Sequence, residues 1–277
     1  MNQSTTFPLW ISHTSMRDFL SCPRAYFLRH IYKDPKTGKK INIINPALAL
    51  GNTVHDVLEG LSELKVEDRF KVSLLDQYED AWKKVTGESG GFKDAIEEDV
   101  YKERGRVMLQ RVVDHPGPLH NKALKLRSGD ELPPRFLLSP EENIILCGKI
   151  DWLEYFPEDD SVHIIDFKTG LHEEEADSLQ LPIYALLVKN CQKRHIRMIS
   201  YWYLEKSNEP IEMPLPDVEE ARERILSVGL QMKKLRAERV FVCKRNGCFA
   251  CKPLEKIVRG EAKYIRTSGY QDIYVVE

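Results

Sequence analysis

The strongest chemical signal lies in two short runs in the middle of the chain. In Gly148-Lys149-Ile150-Asp151-Trp152-Leu153-Glu154-Tyr155-Phe156 the carboxylate of Asp151 sits in a largely apolar stretch. In Val162-His163-Ile164-Ile165-Asp166-Phe167-Lys168-Thr169-Gly170 a carboxylate and an ammonium do the same. Both runs read as strands around a polar turn. Side chains alternate faces along a strand, so Asp166 and Lys168 point the same way. A turn centred between Glu158 and Asp159 puts residue 151 opposite residue 166, and two carboxylates and an ammonium converge. Aspartates that close repel, and one would be driven to hold its proton. A divalent cation removes the conflict, because Mg²⁺ is held by one or two carboxylates and keeps several waters. Such a cation acidifies water and neutralises charge on a phosphodiester, while Lys168 orients or deprotonates the water or adds positive charge beside the phosphate. The chemistry is phosphodiester hydrolysis. The bland alternative is a salt-bridged hairpin: triplets such as Asp34-Pro35-Lys36 and Glu63-Leu64-Lys65 occur by chance in so charged a chain. Placement inside an apolar strand, at this register, sets Asp166-Phe167-Lys168 apart.

Three further sets bear on the same chemistry. His55 and Glu59, in Gly51-Asn52-Thr53-Val54-His55-Asp56-Val57-Leu58-Glu59, lie one helical turn apart. Imidazole suits Mn²⁺ better than Mg²⁺, although a lone helical histidine is as readily a surface or core residue. Gln180 and Tyr184 also share a helical face, and Tyr184 could equally pack into a core with Leu181 and Leu187. Cys243, Cys248 and Cys251 form a C-x4-C-x2-C cluster around Gly247, which suggests thiolates gathered on a metal, with Cys22 as a fourth ligand. Cys147 and Cys191 read as buried apolar residues.

The elements that must position these groups follow from periodicity and punctuation. Helical patterns run from 12 or 15 to about 32, weakened at Pro23, from 46 to 64, and about 68–85 and 94–114. Strands are expected at 135–138, 143–156 and 161–169, then a helix at 177–190, a strand at 196–204, a helix at 217–238 and a short strand at 272–276. The chain thus divides into a mainly helical region 1–134, a core 135–238 and a cysteine-bearing segment 239–277, in one compact unit.

The 277 residues are 42% hydrophobic and 30% charged, which describes a globular protein and excludes disorder, collagen and coiled coil. No apolar run approaches the ~18 residues of a membrane helix, and the N-terminus lacks a secretory signal, so a cytoplasmic location and no membrane partner are expected. In that setting six cysteines argue against a disulfide framework. The net charge of -2 hides a partition: residues 16–40 carry +5, residues 239–266 carry +6, and the rest sums to -13. Solvated charged faces are common, but these two basic stretches hold four of the six cysteines and suit a nucleic-acid partner. Tyr26, Phe27 and Phe249 near them could stack bases or be core. No G-x-x-x-x-G-K-[ST] loop is present, so a helicase partner would be a separate chain.

Taken together and in order, these motifs resemble the PD-(D/E)xK nuclease superfamily and, within it, the RecB-like branch that includes AddB-type and CRISPR-associated RecB-like exonucleases. Asp151 matches the first acidic position, Asp166-Phe167-Lys168 the D-x-K core, Gln180 to Tyr184 the following Q-x-x-x-Y helix, and His55 the upstream histidine. Ser12 to His30, with its Cys-Pro-x-x-Tyr, resembles the opening segment. The matches span about Ser12 to Cys251. The resemblance implies a mixed α/β, restriction-endonuclease-like core with a central mixed sheet flanked by helices. It implies His55, Asp151, Asp166 and the Phe167 carbonyl as ligands for Mg²⁺ or Mn²⁺, Lys168 as the catalytic lysine, and Gln180 and Tyr184 at the active site or DNA. In AddB-type relatives one N-terminal and three C-terminal cysteines hold a 4Fe-4S cluster, which implies Cys22, Cys243, Cys248 and Cys251 for that role here. The family spacing C-x2-C-x5-C is not kept: Ile257 stands where the last cysteine belongs. A structural Zn²⁺ is the alternative occupant. The function expected is a metal-dependent DNA nuclease acting from ends or on single strands, in repair, recombination or related processing. The alternative is a non-catalytic DNA-binding or complex-assembly subunit of the same fold.

Overall fold

The computed structural model describes residues 7–126 and 132–276. Local chemistry sets the helix starts. After β1 (Leu9–Ile11), Ser12 and Ser15 cap α1 (His13–Ser21) reciprocally: the Ser12 hydroxyl accepts from the Ser15 N–H, and the Ser15 hydroxyl from the Ser12 N–H. The single helix expected over 12–32 is broken at Cys22, because the residue before a proline is driven out of helical backbone. Cys22 is extended (φ -163°, ψ 114°), Pro23 opens α2 (Pro23–Tyr26), and a π-turn follows over Phe27–Ile31. After β2 (Lys40–Ile43), Asn45 caps α3 (Pro46–Gly60) by accepting from the Leu48 N–H. Then come α4 (Leu74–Trp82), shorter than expected, and α5 (Ala95–Asp114), capped by Asp94.

The continuous strand expected over 143–156 is two strands in different sheets. Of β3 (Arg135–Ser139), β4 (Ile144–Cys147) and β5 (Trp152–Phe156), β4 pairs with β1 in parallel and with β3 antiparallel. β5 instead pairs antiparallel with β6 (Ser161–Lys168). The chain leaves the first sheet at Gly148, where a side-chain carbon would come within 2.9 Å of Leu187 Cδ1. Glycine fits there without moving the Leu187 side chain, whose terminal methyl any larger residue would have to displace. The β5–β6 register, Trp152 opposite Ile165, is the one expected, and Asp151 lies just before β5. Next are α6 (Gln180–Cys191), β7 (His195–Tyr203), parallel to β6, and β8 (Ile211–Glu212), which complete a mixed sheet of order β5-β6-β7-β8. Asp217 caps α7 (Val218–Glu238); α8 (Lys252–Val258), β9 (Lys263–Ser268) and β10 (Gln271–Val275) follow. The expected C-terminal strand is β10, and it lies between β2 and the unanticipated β9.

Alternation along β6 divides the core. Val162 and Ile164 pack with α6 residues Ile183 and Leu187 and α7 residue Ile225, while Ile165 and Phe167 pack with Val54 and Leu58 of α3 and Leu109 of α5. Helices therefore cover both faces of the mixed sheet, the α/β arrangement expected. A third, smaller cluster joins Cys22, Leu28 and Ile41 to Cys248, Cys251, Leu254 and Ile257, so the two basic stretches lie side by side. An Arg24–Glu255 ion pair links them as well.

The sheet also buries a polar network. His163 is 3% exposed; its Nδ1 lies 2.8 Å from Glu154 Oε2 and its Nε2 2.7 Å from Ser200 Oγ, and Asn121 donates to Glu154 Oε1. It resembles a Ser-His-Glu hydrolytic triad in connectivity, but all three members are sealed in the core. Truncating Glu154→Ala strands His163 and Asn121 without their acceptor, so urea unfolding should show a loss of roughly 2–4 kcal/mol. A loss under about 0.5 kcal/mol, the scale of an ordinary surface substitution, would show that the network is not integral to the core.

Candidate functional site

The chain brings its candidate residues to one end of the mixed sheet. Asp166, near the end of β6, is 2% exposed. Asp151, on the bend before β5, accepts the Phe167 N–H at 2.9 Å through Oδ2. This hydrogen bond ties the first carboxylate to the backbone between the other two functional positions. His55, on α3, places Nδ1 3.4 Å from Asp151 Oδ2 and 3.7 Å from Glu59 Oε1, and its ring stands edge-on to Phe167. Glu59 also pairs with Lys149. Phe167 itself is buried against Trp202, which leaves its backbone as the part that borders the site.

Lys168 is held from several directions. Its Nζ lies 3.0 Å from Asp166 Oδ2 and 2.9 Å from Glu174 Oε2, donates to Gln180 Oε1, and sits 4.9 Å from the centre of the Tyr201 ring. Gln180, at the first turn of α6, uses its other end to donate to Asp166 Oδ1 at 2.6 Å and to the Tyr184 hydroxyl at 3.3 Å. Tyr184 is at once a core residue, packed with Leu181 and Leu187, and a member of this network. Glu174 was not among the residues singled out by sequence. It accepts from the Ser178 hydroxyl, its N–H donates to the Tyr203 hydroxyl, and its carboxylate reaches Lys168. Its only sequence signal was an acidic run, His172-Glu173-Glu174-Glu175, shortly after the D-x-K triplet, a pattern that solvated loops share.

The electrostatics are those of a site built for a cation. Burial, and then the neighbouring Asp151 charge, push the Asp166 carboxyl up to about 7. Burial disfavours a charged His55, but hydrogen bonding to Asp151 and Glu59 outweighs it and pushes the imidazole up to about 10. Burial likewise opposes the Lys168 charge, and Asp166 and Glu174 overcome it to hold the ammonium above its ordinary value. Asp166 Oδ2 is buried and accepts no hydrogen bond of good geometry, although Lys168 Nζ is within ion-pair distance. His55, Glu59 and Asp151 bring one ligand atom each to within 4.8 Å of one another. That imidazole and those two carboxylates are donors that fit a divalent cation, whereas Asp166, expected as a ligand, is not in this group and has its orphaned Oδ2 3.0 Å from Lys168 Nζ.

The second centre is the cysteine set. The sulfurs of Cys22, Cys243, Cys248 and Cys251 all lie within 4.8 Å of one another, and Cys248 and Cys251 are 3.7 Å apart. Cys22 reaches it from the break between α1 and α2. Backbone N–H groups of Arg245 and Gly247 push the Cys243 thiol down to about 6, while burial pushes Cys22 up to about 12. The turn that aims those N–H groups needs Gly247, whose φ is +108°. Ile257, at the family's missing cysteine position, is buried among apolar neighbours, and Cys243 supplies the remaining sulfur. Cys147 and Cys191, expected as buried, are half-buried, with S–H contacts to the Ile11 and Arg135 carbonyls. Tyr26 is core, Phe27 stacks on Phe241, and Phe249 is 77% exposed.

The sequence profile of the PD-(D/E)XK nuclease superfamily matches residues 10–253. No curated protein matches the chain. A crystal structure of a candidate exonuclease from Eubacterium rectale is similar, with a TM-score of 0.52 and 13% identity, over 88% of this chain and 87% of that one. At that identity the likeness is one of fold. No helix among the described residues is long and apolar enough to cross a membrane.

The raised Asp166 carboxyl makes a stability prediction. Its ordinary value is 3.8, so between that pH and about 7 the folded chain binds more protons than the unfolded one. Stability contributed by this group therefore falls as pH rises through that window and stays low above it. In chelator at about pH 8, Asp166→Asn should melt above the wild type, and the gap should close toward about pH 4. A wild type that melts above the variant at about pH 8 would show that Asp166 is not a buried, uncompensated charge.

Proposed function

The chain belongs to the PD-(D/E)XK nuclease superfamily, and from that premise we propose that it is a Mg²⁺- or Mn²⁺-dependent deoxyribonuclease of the RecB-like branch, acting on ends or single strands. The observation that carries the reading is the convergence of Asp151, Asp166 and Lys168 at one end of the sheet, with a buried Asp166 oxygen that no hydrogen bond satisfies. His55, Asp151, Asp166 and the Phe167 carbonyl would hold the cation. When bound, the cation would supply an acidified water and neutralise charge on the phosphodiester.

The rest falls to the protein's own side chains. Lys168 is an ammonium, because Asp166 and Glu174 keep its proton in place against burial. Its role would be to place positive charge beside the scissile phosphate or to orient the attacking water. Gln180 bridges Lys168 to Asp166 and fixes the distance between cation and carboxylate, while Tyr184 anchors Gln180 to the core. Glu174 pairs with the ammonium at 2.9 Å.

For the cysteine centre, the resemblance favours a 4Fe-4S cluster, and the sulfur spacing favours a second reading. Four thiolates on one tetrahedral Zn²⁺ at ~2.3 Å sit ~3.8 Å apart, close to the 3.7 Å between Cys248 and Cys251. Thiolates that each cap a separate iron of a cube lie farther apart. Either occupant would staple Cys22 to the C-terminal segment.

Two measurements test these assignments. With Mg²⁺ or Mn²⁺, the wild type should degrade labelled single- or double-stranded DNA, and Lys168→Ala should be slower by about 10²–10³-fold, the scale of one lost transition-state donor. Equal cleavage by both removes Lys168 from the mechanism, and cleavage by neither leaves the DNA-binding subunit reading. For the second centre, anaerobically purified protein should carry about one zinc per chain and no colour if the spacing is decisive. A brown protein with iron and labile sulfide restores the 4Fe-4S assignment.

A further inference from the structure

Beside the Lys168 centre runs a cleft of about 1370 Å³, lined by α1, the start of α3, the segment after β6, and the cysteine loop with the first turn of α8. Glu174 belongs to both: it lines the cleft and reaches Lys168. The cleft therefore adjoins the candidate centre through Glu174, which separates it from Lys168.

Charges of both signs line it, Asp18 among them but buried and paired with Arg29 and His30, and the exposed ones fall into two groups that come from different segments. Arg17 comes from α1, and Arg245 and Lys252 from the cysteine loop; all three are exposed, and none is in an ion pair among the described residues. Between them Phe249 is 77% exposed, although its neighbours Cys248 and Cys251 are buried in the sulfur centre. An aromatic ring on a loop fixed at both ends is a rigid platform. The segment after β6 contributes only carboxylates: Glu173, Glu175 and Asp177 are exposed in the same cleft.

We propose that this cleft is the approach track for one strand of nucleic acid, with a base stacked on Phe249 and phosphates held by Arg17, Arg245 and Lys252 on the way to Lys168. The proposal rests on the nuclease reading above and adds the path and the reason for strand choice. A single backbone can follow the cations, and its bases stack without regard to sequence. A duplex brings a second phosphate backbone, which meets Glu173, Glu175 and Asp177. Like-charge contact of that kind is how a binding surface rejects the wrong partner.

The test is fluorescence anisotropy of the full-length chain in EDTA, where cleavage does not intervene. The probes are a short labelled DNA strand, the RNA strand of the same sequence, and the DNA duplex. The wild type should bind a single strand at least about tenfold more tightly than the duplex, and Phe249→Ala should weaken single-strand binding by about tenfold or more. Phe249→Trp, which keeps the platform, should retain it; this separates stacking from collapse of the loop. Arg245→Ala with Lys252→Ala should flatten the salt dependence by about 1.4 in the log–log slope, at ~0.7 per phosphate contact. Glu173→Lys with Glu175→Lys should raise duplex affinity. Loss on either the DNA or the RNA strand supports the track, and the two probes tell which sugar it takes. Variants that bind like the wild type, or a wild type that binds duplex as well as single strand, overturn it. A wild type that shows these losses but cleaves nothing with any metal overturns the nuclease reading and leaves the track.

Discussion

The structure turns on the placing of two carboxylates, Asp151 and Asp166, beside each other at the buried end of a sheet. A carboxylate only 2% exposed is costly, and a second one nearby pushes it further toward holding its proton. Everything around the pair acts against that cost. Lys168 and Gln180 approach Asp166, the Phe167 N–H and His55 approach Asp151, and Glu59 and Glu174 in turn hold His55 and Lys168. One oxygen of Asp166 is still left without a hydrogen bond. That oxygen has the Lys168 ammonium at 3.0 Å, and a buried acceptor left without a hydrogen bond is uncommon enough to call for an explanation.

The fold delivers that shell from distant parts of the chain. His55 comes from α3, Asp151 from the bend before β5, Asp166 and Lys168 from β6, and Gln180 from α6. β6 pairs on both edges, with β5 and β7, and helices cover both its faces, so its side chains have little freedom. The bend at Gly148 matters for the same reason. Had 143–156 continued as one strand, Asp151 would lie mid-strand in a ladder rather than at a turn where its carboxylate can reach the Phe167 N–H. The change of sheet comes at Gly148, where the backbone passes close to the Leu187 side chain.

Much of this was legible in the sequence, and the omissions have physical causes. The Trp152–Ile165 register followed from a turn and the alternation of a strand, both local properties. The starts of α1 and α3 followed from Ser12 and Pro46, because a cap or an opening proline acts within a single turn. What could not be read was tertiary. The split of 143–156 depends on packing against a helix some forty residues on, and β9 is a strand only because β10 is there to receive it. Glu174 is one acid in a run of three, and nothing short of the folded loop distinguishes the one that reaches Lys168. Phe27 and Tyr26 shared with Phe249 a basic sequence context, and only packing separated two buried or stacked rings from one exposed ring.

The cysteine centre gathers four sulfurs at positions that differ from those implied by the resemblance to AddB-type proteins. Ile257 removes one sulfur from the expected position, and an isoleucine there costs nothing because its surroundings are apolar: Leu28, Ile41 and Leu254 share its cluster. Cys243 replaces it from the other end of the loop, on a turn whose N–H groups already favour its thiolate. Cys22 enters only because Pro23 ends α1 one residue later, in extended backbone. A proline and a glycine, Pro23 and Gly247, therefore fix a four-sulfur site that joins the two basic stretches. The near-neutral total charge hides this partition, since the cations of the two joined stretches are cancelled in sum by the acidic excess of the rest of the chain.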